Sequence, residues 1–435
     1  MAKYDWGTFG FHIPQIMLPK EGTDYSKWAV VACDQYTSEP EYWEEVEQIV
    51  GDAPSTLRLM LPEIFLDKPG EAEKIKAIRA SMDQYLSDGT LRTLPAGCML
   101  VKRTAEGRSR LGLVIATDLE SYDFNKGSQS LTRATEGTVI ERIPPRIRIR
   151  EGAPIEMPHI LILIDDPEKT VIEPLVNAPQ TVVYDTDLMM KGGHITGSFI
   201  EEKDLEGAKD ALSALFDKAV EKYGEGHVIF QAMGDGNHSL ATAKTNWENL
   251  KKTLTPEEAE NHPARYALCE IENIYDEGIV FEPIHRVIFA KKGQTGLDLV
   301  KETIDLLKEQ NGDARMIPEG AEVPEGCFGV PTMAGGKKCT IVIEDPSSKL
   351  AVGALQNALD VIVKERGDAD IDYIHGAGPV ESLCTDPANA GFLLPPMEKL
   401  DLVPAVAGDG ALPRKTFSMG EANEKRYYIE SRYIG

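Results

Sequence analysis

Gln231-Ala232-Met233-Gly234-Asp235-Gly236-Asn237-His238-Ser239-Leu240-Ala241-Thr242-Ala243 gathers several reactive side chains around two glycines. The apolar run His227-Val228-Ile229-Phe230 precedes it. The Ala, Leu and Lys content of residues 240–250 favours a helix after it, so the stretch reads as strand, tight turn and helix start. Gly234 and Gly236 let the backbone approach a ligand closely, and the N–H groups of a first helical turn attract an anion. Asp235 and His238 stand beside that position as a metal ligand or a base. The plainer alternative is that Asn237 or Ser239 simply caps the helix.

Other segments carry chemistry with an equally plain alternative. Residues 131–150 hold Arg133, Arg142, Arg146, Arg148 and Arg150, and guanidinium forks grip phosphate and carboxylate; the alternative is an ion-pair network with the chain's many acids. Asp34 and Gln35 follow the apolar run Trp28 to Cys33 and read as a capped loop, as do Asp165 and Asp166 after the strand Ile160 to Ile164. His285 and Arg286 lie within a strand pattern over 278–288, where Pro283 suits a solvent-facing edge. Pro413-Arg414-Lys415-Thr416 again puts basic and hydroxyl residues in a turn.

The elements that must position these groups alternate in type. Helices are expected over about 40–50, 71–86, 204–223, 240–250, 296–310 and 349–366, with strands between them and a hairpin over 98–116 turned at Gly107. The class is α/β or α+β, with mixed sheets and flanking helices. At 435 residues the chain exceeds one ordinary core, and three portions are expected, 1–130, 131–290 with the motifs, and 291–435 as an additional lobe. A net charge of -25 repels phosphate backbones and anionic lipid, which argues against nucleic acid and membrane partners and for a small-molecule protein. The first residues show no secretion signal and no apolar run spans a bilayer, so a cytoplasmic location is expected. Six scattered cysteines without a C-x-x-C pair give no disulfide framework or zinc pattern. Homo-oligomerisation is left open.

Five segments in order resemble the uncharacterised bacterial and archaeal family known as domain of unknown function 1015. They are Thr135-Glu136-Gly137-Thr138, Gly234-Asp235-Gly236-Asn237-His238-Ser239, Ile284-His285-Arg286, Phe392-Leu393-Leu394-Pro395-Pro396 and Pro413-Arg414-Lys415-Thr416. The specificity lies in the order, since each motif alone is weak. Three positions depart from the family pattern: Thr135 and Asn237 stand where histidines are typical, and Ser239 where an arginine is. The Asp-Gly-x-His turn also resembles, more distantly, the ParB and sulfiredoxin-like superfamily, which includes a free serine kinase.

These resemblances imply a ParB/sulfiredoxin-like element and a nucleotide-dependent phosphotransferase acting on a small hydroxylated metabolite, free serine among them. ATP or ADP would bind with Mg²⁺. The start of the helix after Gly236 would hold phosphate through Gly234, Gly236, Asn237 and Ser239, with Asp235 on the metal and Glu136 as base. His238, His285, Arg286, Lys415 and Thr416 would complete the catalytic and nucleotide-binding set. Two alternatives remain open: a module that binds an anionic metabolite or nucleotide without chemistry, and a metal-dependent phosphohydrolase using Asp235 and His238.

Overall fold

Alternating apolar residues along Leu91–Ala105 and Arg108–Asp118 make a long hairpin, closed by Glu106 and Gly107, which both have positive φ (49° and 75°). A two-residue turn of that kind matches the twist of the strands it joins. The structure, a computed structural model, describes residues 3–291 and 293–435. The chain folds as two compact units, Met1–Val280 with Gly420–Gly435, and Phe281–Met419. The three portions expected from sequence, 1–130, 131–290 and 291–435, do not coincide with these units. The last sixteen or so residues return to pair with strands near positions 30 and 155, and such distant pairing leaves no local signal.

Among its described residues the first unit contains a sheet of eleven strands. In chain order they are β1 (Phe11–His12), β2 (Gln15–Pro19), β3 (Leu91–Ala105), β4 (Arg108–Asp118), β5 (Tyr122–Asp123), β6 (Thr132–Arg133), β7 (Leu161–Ile164), β8 (Thr181–Leu188), β9 (Gly193–Glu201), β10 (Gln231–Asp235) and β11 (Tyr266–Asn273). The spatial order is β8-β9-β3-β4-β11-β7-β10-β6-β5, with β1 on β4 and β2 on β3. Antiparallel pairs predominate, but β11 with β7, β10 with β6 and β6 with β5 run parallel, so the sheet is mixed.

Each strand sends alternate residues to opposite faces. On β11, Leu268 joins the apolar cluster that contains Trp28, Met99 and Val114, whereas Ala267, Cys269 and Ile271 join the one that contains Leu113, Ile115 and Ile162. Helices cover the sheet: α1 (Pro40–Val50), α2 (Glu71–Ser87), α3 (Ile143–Arg150), α4 (Glu206–Tyr223) and α5 (Asn237–Lys251). Helix α1 starts on Pro40 and buries Tyr42, Trp43, Val46 and Val50, the spacing of one helical face.

Glu270 and Glu272 share the face of Leu268 and are buried. Charges in such a place require partners, and Arg426 and Arg110 provide them. A Cβ on Gly112 would lie 1.9 Å from Glu270 Oε1, so only glycine leaves room for that carboxylate.

The second unit is an antiparallel sheet of β12 (Phe281–Ala290), β13 (Asp313–Pro318), β14 (Phe328–Ala334), β15 (Lys337–Glu344), β16 (Ala369–His375), β17 (Asn389–Phe392) and β18 (Phe417–Met419), in the order β13-β15-β14-β17-β12-β16 with β18 on β12. Helices α6 (Gly296–Gln310) and α7 (Ala351–Asp360) pack their apolar faces on it through Leu299, Leu307, Leu355 and Leu359. The edge position expected for the strand containing His285 and Arg286 is not observed. β12 lies between β16 and β17, and its first residues, Phe281 to Pro283, pair with β18. Among the described residues no helix is long and apolar enough to cross a membrane.

Candidate functional site

β10 ends in an irregularity. Its register against β7 shifts between Met233 and Asp235, so Gly234 lies at a bulge, and Gly236 follows with φ 77° as the residue before α5. A side chain at Gly236 would be strained by that φ, and its Cβ would approach Ile160 Cα to 3.0 Å. The turn therefore needs glycine for both conformation and space. Helix α5 has 15 residues and no side chain caps its start, so the expectation that Asn237 or Ser239 acts as the cap is not met. Gly236 occupies the cap position, so no side chain accepts from the N–H groups of the first helical turn.

Asn237 instead faces a neighbouring segment. The Thr135 N–H donates to Asn237 Oδ1 (3.2 Å), Asn237 Nδ2 donates to Thr135 Oγ1 (3.3 Å), and Thr135 Oγ1 donates to Met233 O (2.8 Å). The Val139 N–H donates to His238 Nε2 (3.3 Å). Residues 135–139 are thus fastened at both ends to the first turn of α5, with half-buried Glu136 between the fastenings. The His238 imidazole thus serves as an acceptor that holds residue 139 against the helix.

A lysine supplies the positive charge. Lys425 Nζ donates to Asp235 Oδ2 at 2.9 Å, and the Gly236 N–H donates to Oδ1 at 2.7 Å. Burial pushes the Asp235 carboxyl upward, but the Lys425 charge and hydrogen bond, the Gly236 N–H and the nearby His159 outweigh it and hold the group below its ordinary value. Both Asp235 oxygens are engaged, and an ammonium already lies against Oδ2. Among the described residues no three His, Cys, Asp or Glu side chains converge as a metal cage. With the Lys425 ammonium on Oδ2 and the Gly236 N–H on Oδ1, Asp235 as it stands does not fit a magnesium ion.

His159 Nδ1 and Tyr428 Oη lie 2.6 Å apart, and Tyr428 Oη donates to Cys33 Sγ at 3.2 Å. Burial pushes the Cys33 thiol up, which favours its protonated form. Ser239 lines a cavity together with His159 and Tyr428.

The remaining site residues expected from sequence belong to the second unit, where they assemble with one another. Arg286 is fully buried; its Nε donates to Gln356 Oε1 (3.0 Å), Nη1 to Lys415 O (2.8 Å) and to Ile284 O, and Nη2 to Arg414 O (3.0 Å). Thr416 Oγ1 donates to Pro413 O (2.6 Å), and Lys415 takes φ 58° in the same turn. His285 Nδ1 accepts from the Leu394 N–H at 3.1 Å, and burial together with Arg286 lowers its basicity. The segments at 284–286, 392–394 and 413–416 thus form one cluster and those at 135–138 and 234–239 another, each within its own unit.

The arginine-rich stretch meets its plainer alternative. Arg146 pairs with Glu63, Arg148 with Asp67 and Glu71, and Arg150 with Glu156, while Arg133 donates to Ser130 O and His227 O. Asp166 is a loop cap, accepting from the N–H groups of Thr170 and Val171. Two residues of the site, His159 and Lys425, escape sequence reasoning. A histidine at the mouth of an apolar strand was a visible signal for the first, whereas nothing near Lys425 marks it.

A family model described as protein of unknown function (DUF1015) matches residues 17–362, and the chain belongs to that family. A comparison with curated proteins finds no match. Among solved structures the chain is similar to a conserved hypothetical protein from Pyrococcus furiosus, at 12% identity over 73% of this chain and 94% of that one, with a TM-score of 0.38. It is also similar to a free serine kinase mutant in complex with AMP, at 12% identity over 73% and 90%, TM-score 0.40, and to one in complex with ADP, at 10% over 73% and 91%, TM-score 0.39.

Proposed function

We propose that this DUF1015 protein is a nucleotide-dependent phosphotransferase that passes a phosphoryl group to a small hydroxylated metabolite, with free serine as the first acceptor to test. One observation supports the reading, the neighbourhood of three features: the start of α5 without a side-chain cap, the partly buried Lys425–Asp235 pair, and the Glu136 segment fastened to the same turn.

In this reading the N–H groups at the start of α5 and Lys425 hold the phosphates, with Asp235 fixing the position of Nζ. The acceptor hydroxyl oxygen forms a bond to the terminal phosphorus, the bond from that phosphorus to the bridging oxygen breaks, and the nucleotide diphosphate leaves. The hydroxyl proton passes to Glu136. Glu136 is the catalytic residue proposed and Asp235 positions Lys425, with Gly234, Gly236, Asn237 and Ser239 shaping the seat. His238 positions the 135–139 segment. His285, Arg286, Lys415 and Thr416 have no assigned step.

A second reading, nucleotide or anionic-metabolite binding without chemistry, is favoured by the Thr135–Asn237 pair: hydroxyl and amide groups exchange no protons at neutral pH. Calorimetry with ATP followed by detection of phosphorylated product separates the two. Product formation that falls at least a hundredfold in Asp235→Asn and in Glu136→Gln, with the fold retained, supports transfer. Unchanged turnover in the folded variants would sink it, and tight binding without product would establish the second reading.

A further inference from the structure

Two residues of the glycine turn's surroundings also border a cavity of about 130 Å³, which lies among α3, the early turns of α5 and residues 59–63. One is His159, whose backbone oxygen a Cβ on Gly236 would approach to 3.1 Å. The other is Ser239. The first helical bond of α5 runs from the Leu240 N–H to Gly236 O (3.0 Å), so the N–H groups of Asn237, His238 and Ser239 have no acceptor within the helix. Ser239 therefore belongs to the start of the helix through its N–H and to the cavity through its place in the lining.

The rest of the lining decides what can enter. Leu59, Leu61, Met82, Ile149, Ile155 and Met157 supply most of the wall. The charged groups on it are matched with one another: Arg146 pairs with Glu63 and Arg150 with Glu156. Glu156 Oε1 is taken further by the Leu268 N–H (2.8 Å) and by Arg432 Nε and Nη2 (2.9 and 2.7 Å). Thr242 Oγ1 donates to His238 O (2.7 Å), and Tyr428 Oη donates to Cys33 Sγ (3.2 Å). The wall thus offers apolar surface, and its charges are already paired.

We infer that this cavity is the acceptor subsite of the phosphotransferase, which rests on that reading, and that the acceptor is an uncharged alcohol with a short aliphatic body. Its hydroxyl would lie at Ser239, beside the phosphates, and its carbons against the leucine, isoleucine and methionine wall. Transfer forms the bond from that oxygen to the terminal phosphorus, breaks the one to the bridging oxygen and sends the hydroxyl proton to Glu136. Free serine fits less well, because its ammonium and carboxylate would leave water for a wall whose charges are already paired. Size sets the length. A dry cavity of about 150 Å³ takes benzene, six heavy atoms, so a body of about four or five carbons with its hydroxyl fits here.

The test is a transfer assay on the full chain with ATP, with and without Mg²⁺, in which mass spectrometry detects the phosphorylated product. The acceptors are straight-chain alcohols from ethanol to decan-1-ol, 3-methylbutan-1-ol and L-serine. The expected result is a kcat/KM optimum at about four or five carbons, at least a hundredfold above serine. Ala153→Leu, which fills the cavity from its wall, should raise KM for pentan-1-ol at least tenfold while ATP still binds in calorimetry. Met157→Ala, which enlarges the cavity, should move the optimum to longer alcohols. Serine as the better acceptor, or alcohol kinetics unchanged in both variants, would overturn the inference and leave the phosphotransferase reading standing. Product from none of the acceptors overturns both. If Ala153→Leu fails to fold, the chain-length preference of Met157→Ala alone decides it.

Discussion

The glycine turn of the first unit and the Arg286 cluster of the second are built from the same residue types, and they spend them differently. Arg286 directs its donors at Gln356 and at the backbone carbonyls of Ile284, Arg414 and Lys415. A guanidinium committed to internal carbonyls holds chain segments together and has little left for a ligand's oxygens. At the turn, the cation is a lysine set against the Asp235 carboxylate, and the adjoining helix start has no side-chain cap. What separates a clamp from a seat is how many acceptors the fold already supplies, and neither residue type nor spacing records that.

The largest effect that would break this contrast is in the clamp. Arg286→Ala strips donors from buried carbonyls, each worth about 1–3 kcal/mol, so a total loss of about 3–5 kcal/mol is expected in denaturant unfolding. A loss below about 1 kcal/mol would mean that Arg286 is not a clamp and would make it a ligand-binding candidate again.

Lys425→Met comes next, because it leaves the partly buried Asp235 without its counter-charge, at a cost of about 2 kcal/mol. The double variant with Asp235→Asn should recover part of that loss, and a double-mutant cycle measures how much. The pair also sets a pH dependence. Asp235 has a lowered folded-state pKa, so its contribution is present above about pH 4, the unfolded carboxylate range, and is lost as pH falls through the lowered value. In Lys425→Met the acid limb of the stability curve should move to higher pH.

Gly236→Ala is a smaller perturbation, about 1–2 kcal/mol from the left-handed φ, with some addition from the approach to Ile160. Thermal unfolding reads it, and an unchanged melting temperature would show that the turn is not held in that conformation. Thr135→Val should cost least, about 1 kcal/mol for the lost hydroxyl bonds, and should loosen the Glu136 segment more than the fold. Amide exchange of residues 135–139 against that of α5 reports the difference; equal changes in both would mean that the two are not separately anchored.

Much of the scaffold was legible. The helices at Pro40–Val50 and Gly296–Gln310 appear where they are expected, and in the structure Thr295 closes a capping box with Asp298. The hairpin around Gly107 was equally plain, as was the strand-turn-helix at Gly234. Local signals fix such elements. The apolar run Trp28 to Cys33 reads as a strand, but only Val30–Val31 forms one among the described residues: Trp28 ends a short helix and the pairing partner is the distant Tyr427–Tyr428. The candidate site was half legible for the same reason. Asp235 announces itself between two glycines, but its partner Lys425 is 190 positions away, and the arginines of 131–150 could not show which acids they would meet.

The return of residues 420–435 to the first unit has a consequence for the order of events in the cell. Synthesis delivers residues 1–280 first, then the whole of the intervening unit, and only then Lys425, Tyr428 and Arg432. Until the ribosome has passed those codons, Asp235 and Glu156 have no tail to meet them. The nascent protein therefore waits with its future site unpaired while the middle of its own sequence takes shape.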